Sequence, residues 1–385
     1  MPEIKEPIFG HGFADIIDSF SRDETVNLVE SATLGDVDRV IAKARKTGGH
    51  LKPEEFAILL SPAADARLEQ MAALSHLLTS ERFGKTISLY IPMYVGNACT
   101  NKCVYCGFNH DNKFTRKILT EDEVERECEA IKSLGPFDNL LIVAGEYPSL
   151  CGPDYLERVL KICGKHFNNL NIEVQPMRER DYRRLVDSGL YGVVCFQETY
   201  DRKAYAEYHP KGMKSHYDWR LNGYDRMGRA GVHKIGLGAL LGLADWRVDS
   251  VMLARHLRYL QHKYWKSRFS VNFPRLCPSE SGFQPVNPIS DRELARLTFA
   301  FRLFDADTDI SYSTREAPLF RDNMLRLGAT SLSAGSRTEP GGYSSPAVEL
   351  EQFEVTDNRS PAEVEEAIRR AGYDPVWKDW DHALV

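Results

Sequence analysis

From about residue 86 the chain alternates short runs rich in β-branched and aromatic residues with stretches whose apolar positions recur at helical spacing. That alternation builds βαβ units around a parallel sheet. Eight strand candidates can be counted: Ile87 to Val95, Asn139 to Ala144, Asn171 to Gln175, Gly192 to Gln197, Lys234 to Leu241, Arg268 to Phe273, Asp309 to Ser313 and Thr330 to Ala334. The helices between them are punctuated. Thr120 with Glu123 forms a capping box and Gly135-Pro136 closes that helix, while Ser290 with Glu293 opens the helix carrying Leu294, Leu297 and Phe301. Eight strand-helix repeats predict an α/β fold, a (β/α)8 barrel of the TIM type spanning 86–340. Residues 1–85 read as an N-terminal helical extension, with patterns at Ala14 to Phe20, Leu34 to Ala44 and Pro62 to Leu78. Residues 341–385 read as a loop, helix and short tail packed on the barrel. The loop Gly341 to Pro346 reads as a lid or a connector, the helix opens at Ser360-Pro361 and stops near Gly372, and an aromatic segment follows at Trp377 to Trp380.

In such barrels chemistry concentrates on the loops after the strands. The residues there are polar: Ala144-Gly145-Glu146, Glu173-Val174-Gln175-Pro176, Gln197-Glu198-Thr199, Pro274-Arg275 and Ser313-Thr314-Arg315-Glu316. The first strand candidate ends at Cys99, Cys103 and Cys106. Spaced CxxxCxxC, they offer three thiolates from one loop, whereas a closed zinc or iron-sulfur site takes four ligands. One metal position is left open. The alternatives are a zinc knuckle, for which His110 is the one close fourth ligand, and three core cysteines, which a loop suits poorly. Cys128, Cys163 and Cys195 fall on apolar stripes and read as core, while Cys151 and Cys277 lie in loops, Cys277 just after a strand.

Composition narrows the class. The 385 residues are 43% hydrophobic and 27% charged, with a formal net charge of -6 and no basic block, so nucleic acid lacks its electrostatic footprint. No apolar run approaches the ~20 residues that span a membrane. Met1 to Glu6 has no basic-then-apolar signal pattern, and eight cysteines in an unexported chain point to reduced thiols and metal chemistry. The expectation is a cytoplasmic enzyme.

These motifs, in their order and spacing from about Ser88 to Asp381, resemble the aromatic-amino-acid lyase branch of radical S-adenosylmethionine (SAM) enzymes. The likeness is greatest to the 2-iminoacetate-forming tyrosine lyases of thiamin thiazole biosynthesis. It rests on Cys99 to Phe108, Val143 to Glu146, Glu173 to Pro176, Gln197 to Tyr200, Lys234 to Leu240, Ser313 to Glu316, Pro340 to Tyr343 and Val376 to Asp381. A sibling lyase of the hydrogenase cofactor carries a second cluster on a further C-terminal domain. No cysteine follows Cys277 here, so this chain resembles the lyases that stop at the imine.

The resemblance implies a 4Fe-4S cluster on Cys99, Cys103 and Cys106, with SAM on the open iron. Reductive cleavage of SAM then gives a 5′-deoxyadenosyl radical that takes hydrogen from the amino group of L-tyrosine, and the Cα–Cβ bond breaks to 4-cresol and 2-iminoacetate. It also implies a reductant such as flavodoxin or ferredoxin, and thiazole synthase as the protein that receives the imine. Tyr105 is expected beside the adenine, Gly145-Glu146 at the SAM ammonium, Arg220, eleven positions before Gly231, at the SAM carboxylate, and Glu198 at the ribose or the substrate. Glu173 joins this cofactor-binding set. Gly236 and Gly238 admit the adenine or only ease barrel packing. For the substrate carboxylate Arg315 is chosen, because a guanidinium binds a carboxylate bidentately and a related tryptophan lyase uses the matching arginine. Ser313, Ser333 and Tyr94 are expected around the amino acid, with Arg275 and Glu316 as other charge partners. Competing readings are a lyase of another aromatic amino acid such as tryptophan, and a non-catalytic iron-sulfur or zinc scaffold.

Overall fold

The computed structural model describes residues 12–279, 281–345 and 351–378. Eight parallel strands close into a barrel: β1 Thr86–Gly96, β2 Asn139–Ala144, β3 Asn169–Glu173, β4 Leu190–Glu198, β5 Lys234–Ala239, β6 Arg268–Asn272, β7 Asp309–Tyr312 and β8 Ser331–Ser333. Neighbours in sequence pair in space, and β1 closes the circle by pairing β2 from Ile91↔Leu140 and β8 from Ser88↔Ser331. All eight strand candidates are present, Asn139 to Ala144 at its expected bounds and the others with ends shifted by at most two residues.

A ninth strand, β9 Asp374–Val376, escapes the sequence pattern because Pro375 argues against a strand. Its place explains it. β2 begins opposite Ile91, so the first residues of the 11-residue β1 keep an open edge on that side, and β9 covers it from Thr86↔Asp374 to Ser88↔Val376. Trp377 then packs edge-on against Phe137, centroids 4.8 Å apart, while its carbonyl accepts from the Asp138 N–H. Packing thus accounts for this tryptophan. Trp380 and Pro346 lie outside the described residues.

Ahead of the barrel, two corrections apply. The stretch Ala14 to Phe20 forms short 3-10 turns, Phe13–Asp15 and Ile17–Ser19, and the expected helix Pro62 to Leu78 is a 3-10 turn, Pro62–Arg67, followed by a helix Leu68–Phe83. Arg67 breaks the run with φ -121° and ψ 13°. These elements pack on the outer helices, as where Phe56 meets Phe301 and Phe304 at 5.5 and 5.3 Å.

TIM-type barrels usually fill their interior with layers of bulky branched residues. Here many inward positions are small or polar, among them Ser88, Asn171, Gly236, Ser270, Ser311 and Ser331, and they line a cavity together with aromatic residues such as Tyr90 and Phe196. The N-terminal end is plugged by polar contacts: Lys234 Nζ lies 2.7 Å from Asp309 Oδ2, and Asn169 Nδ2 donates to Asn139 Oδ1 at 2.8 Å. The open end is the C-terminal mouth.

Candidate active site

Leaving β1, the chain runs directly into the three cysteines, and the exit of β2 presses on that loop. Gly145 donates its N–H to Gly96 O at 2.8 Å, and a Cβ at Gly145 would stand 2.4 Å from Ala98 O, so only glycine fits. The next residue, Glu146, accepts from Thr100 through its carbonyl and from Asn101 Nδ2 through Oε2 at 2.8 Å. Arg116 ties the far side of the loop by donating to Asn97 O, Phe108 O and Asn109 O. Cys99, Cys103 and Cys106 are all free thiols and all line one cavity of about 940 Å³, so the structure brings the trio together facing inward.

The donor set fits a cluster better than a single ion. Among the described residues no group of three or more His, Cys, Asp or Glu side chains gathers where one metal ion could bind, and the zinc alternative loses its fourth ligand because His110 is exposed and does not line the cavity that holds the three thiols. Three thiols spread around a common cavity with one position open suit a multi-iron cluster with an exchangeable site. Burial pushes the Cys99 thiol up to about 11 and raises Cys103 and Cys106 as well, with Lys214 opposing the rise at the latter two. Loading therefore releases protons.

Beside the thiols runs a chain of alternating charges. Lys214 Nζ lies 2.6 Å from Glu198 Oε1, Arg220 Nη2 lies 3.5 Å from the same oxygen, and Arg220 Nη1 lies 2.7 Å from Glu146 Oε1. Arg220 Nε also donates to Phe196 O at 2.6 Å. Burial alone would raise Glu146, but Arg220 and Lys214 hold it below its ordinary value. Glu198 is the sole non-glycine residue with positive φ among the described residues, at 72°, and it stands where the β4–β5 register slips. The bulge and the left-handed backbone re-aim this side chain at some conformational cost, a feature that recurs where a fold positions functional groups. Tyr105 closes the wall, its hydroxyl 2.8 Å from His209 Nε2 and its ring edge toward Phe283.

This cavity opens into a second one of about 1210 Å³ that descends into the barrel. Both are lined by Val143, Glu173, Val194, Phe196, Pro274, Arg315, Gln352 and Phe353. The Arg315 guanidinium lies over the Phe353 ring, 3.3 Å from its centroid, and makes no hydrogen bond or ion pair among the described residues. Tyr94 donates to Gln352 Oε1 at 2.7 Å, and Ser313 and Ser333 stand in the inner wall. Burial raises Glu173 to about 7, against the opposing pull of Arg315.

Of the remaining expected residues, some lie elsewhere. Gly236 lines the inner cavity and not the one beside the thiols, while Gly238 lines neither: a Cβ there would meet the Phe196 ring at 2.4 Å and Asn272 O at 2.6 Å. Barrel packing accounts for Gly238. Arg275 and Glu316 are held against each other, with Nε 2.9 Å from Oε2, and Arg275 also reaches Asp291 at 2.7 Å; neither lines either cavity. The chain turns after Ser313 and carries Glu316 away from the opening. Lys214, Asn101, Gln352 and Phe353 were missed. Lys214 had a signal in its place six residues before Arg220, but Gln352 reaches Tyr94 across 258 positions of sequence, which no spacing reveals.

Comparison with known proteins agrees with this geometry. A model of the radical SAM superfamily matches residues 93–253, and one of the biotin and thiamin synthesis associated domain matches residues 272–374. The chain is 46% identical over 357 residues to 2-iminoacetate synthase of Escherichia coli K12, covering 92% of this chain and 93% of that protein. A solved structure of HydG, a maturase of the FeFe-hydrogenase, superposes with a TM-score of 0.91 at 33% identity, covering 96% of this chain and 82% of that one. HydG from Carboxydothermus hydrogenoformans gives 0.88 at 30% identity, covering 96% and 86%.

Proposed function

Because the chain belongs to the 2-iminoacetate synthase family of radical SAM enzymes, we propose that its two joined cavities divide the cleavage of L-tyrosine between a cofactor side and a substrate side. The protein is a carbon-carbon lyase that breaks the Cα–Cβ bond of tyrosine to 2-iminoacetate and 4-cresol. One observation carries the division: three free thiols and a paired chain of charges line the outer cavity, and it opens directly onto an unpaired guanidinium at the head of the inner one.

On the cofactor side Cys99, Cys103 and Cys106 would hold a 4Fe-4S cluster, with SAM on its open iron. When bound and reduced, that pair supplies a 5′-deoxyadenosyl radical. Glu146 is set for the SAM ammonium, Arg220 for its carboxylate and Glu198 for its ribose, each already oriented by its neighbours. Held so, these groups need little reorganisation as the cofactor binds.

On the substrate side Arg315 receives the amino-acid carboxylate through its free edge while Phe353 covers its face. The side chain of the amino acid descends toward Tyr90, Asn171, Ser270 and Ser311. These polar walls favour a phenol over an indole, which argues for tyrosine above tryptophan. Gln352 and Phe353 roof the junction and keep bulk water from a reactive intermediate.

The imine product hydrolyses readily in water, which supports direct transfer to thiazole synthase, and the cluster needs a low-potential donor such as flavodoxin or ferredoxin. Among the described residues no helix is long and apolar enough to cross a membrane; a cytoplasmic place is part of this proposal. The test is anaerobic reconstitution followed by incubation with SAM, dithionite and each aromatic amino acid. Tyrosine should yield 4-cresol and, after hydrolysis of the imine, glyoxylate. Products from tryptophan alone would replace tyrosine as substrate, and absence of SAM cleavage would return the scaffold reading.

A further inference from the structure

We propose that Glu173 receives the amino group of the substrate, pairing with its ammonium opposite the carboxylate held by Arg315 and taking one of its protons before bond cleavage. The inference rests on the amino-acid reading given above and adds to it a second polar contact and a proton acceptor.

Glu173 is the last residue of β3, in register with Val143 of β2, and it stands in the wall common to both cavities. That wall contains one acidic and one basic side chain, Glu173 and Arg315. The guanidinium is close enough to lower the carboxyl electrostatically, yet the two form no ion pair. Among the described residues neither side chain has a hydrogen-bonded partner through its charged group. The contrast with the neighbouring carboxylates is direct, since Glu146 and Glu198 are already occupied by Arg220, Lys214 and Asn101. Two opposite charges left unpaired on the rim of one cavity match the two ends of an α-amino acid.

The chemistry asks for such a group. Hydrogen-atom removal from an ammonium would leave a positively charged nitrogen radical in a weakly solvated junction, whereas removal from a neutral amine leaves no net charge there. Proton transfer to Glu173 prepares that state. An N–H bond of the ammonium breaks heterolytically, its electron pair stays on nitrogen, and an O–H bond forms on the Glu173 carboxyl. No electron enters or leaves. Burial already lifts this carboxyl to about 7, well above the ordinary carboxylate range, which narrows the gap to an ammonium and lets the carboxylate accept a proton as well as a hydrogen bond.

The test compares equilibrium binding of three ligands to the anaerobically reconstituted, SAM-loaded enzyme: L-tyrosine, 3-(4-hydroxyphenyl)propanoate, which lacks the amino group, and tyramine, which lacks the carboxylate. Wild type should prefer tyrosine over each analogue by at least about tenfold. In Glu173→Gln the preference over the propanoate should collapse to within about twofold while the preference over tyramine persists, and Arg315→Gln should show the mirror pattern. Formation of 4-cresol by Glu173→Gln should fall by about 100-fold or more, while its reduced cluster still changes its electron paramagnetic resonance spectrum when SAM is added. Should the Gln variant lose its cluster, Glu173→Asp serves in its place, with the preference for tyrosine over the propanoate reduced several-fold. Undiminished preference over the propanoate in a cluster-loaded variant, alongside normal cleavage of tyrosine by wild type, overturns this inference alone. Wild-type enzyme that yields no 4-cresol overturns the substrate reading and this inference together.

Discussion

The two cavities meet at one wall but manage charge in opposite ways. Beside the cysteines, Glu146, Arg220, Glu198 and Lys214 neutralise one another in a continuous chain, with side chains between 6% and 12% exposed. Inside the barrel the lining is mainly serine, asparagine and aromatic residues, and at the junction Glu173 and Arg315 stay apart. A paired network shapes a cradle before any ligand arrives. Unpaired charges do the reverse: they cost stability in the free protein and are satisfied by the ligand itself. The difference marks which side is preorganised for a constant cofactor and which is selective for a substrate.

That contrast can be broken or sharpened by substitution. The largest effect is expected from Cys103→Ala, which removes one of three ligands on the cofactor side. Iron content, the cluster spectrum and SAM cleavage should all drop to background, and retention of a SAM-responsive cluster would remove the cofactor side altogether. Next comes Arg220→Gln, which leaves Glu146 buried without its guanidinium. Breaking a buried pair in this way costs about 3 kcal/mol or more, read as a lower denaturation midpoint together with loss of SAM binding.

Glu173→Gln tests the opposite sign. A carboxyl whose folded-state pKa is raised from 4.5 to about 7 contributes stability below its unfolded pKa and loses it as pH rises through 7. Replacing it should therefore stabilise the ligand-free protein by about 1 to 3 kcal/mol at pH 8 and by much less at pH 5. Equal gains at both pH values would show that its charge is satisfied after all. Arg315→Lys keeps charge and loses the fork, so KM for tyrosine should rise about tenfold with SAM affinity unchanged. The smallest functional effect belongs to Glu316→Gln. It weakens the grip of a buried carboxyl on Arg275 outside both cavities, so it should lower stability by about 1 to 3 kcal/mol and leave KM within about twofold. A large KM change would bring Arg275 and Glu316 back into the substrate site.

Much of the barrel was legible because its signals are local. Strand runs alternate with capped helices, and caps such as Thr120 with Glu123 and Ser290 with Glu293 form as their spacing requires. Where local signals conflict with packing, the reading failed. Pro375 conceals β9, which exists because β1 outruns β2 and leaves an edge to cover. In the site, strand-end position found Glu146, Glu198 and Arg315 but could not separate Arg315, which faces the cavity, from Glu316 one residue later.

The linear order of residues by itself determined eight strands, their direction, and three thiols on the first loop, since periodicity, caps and short spacings act within a few residues of one another. Only the tertiary structure decided which charges cancel and which stay open. Pairing depends on distances across the barrel, such as Arg220 to Glu146 over 74 positions, and on a C-terminal segment that lays Gln352 and Phe353 over the junction. Electrostatic energy follows separation in space and burial from water, and neither quantity is written along the chain.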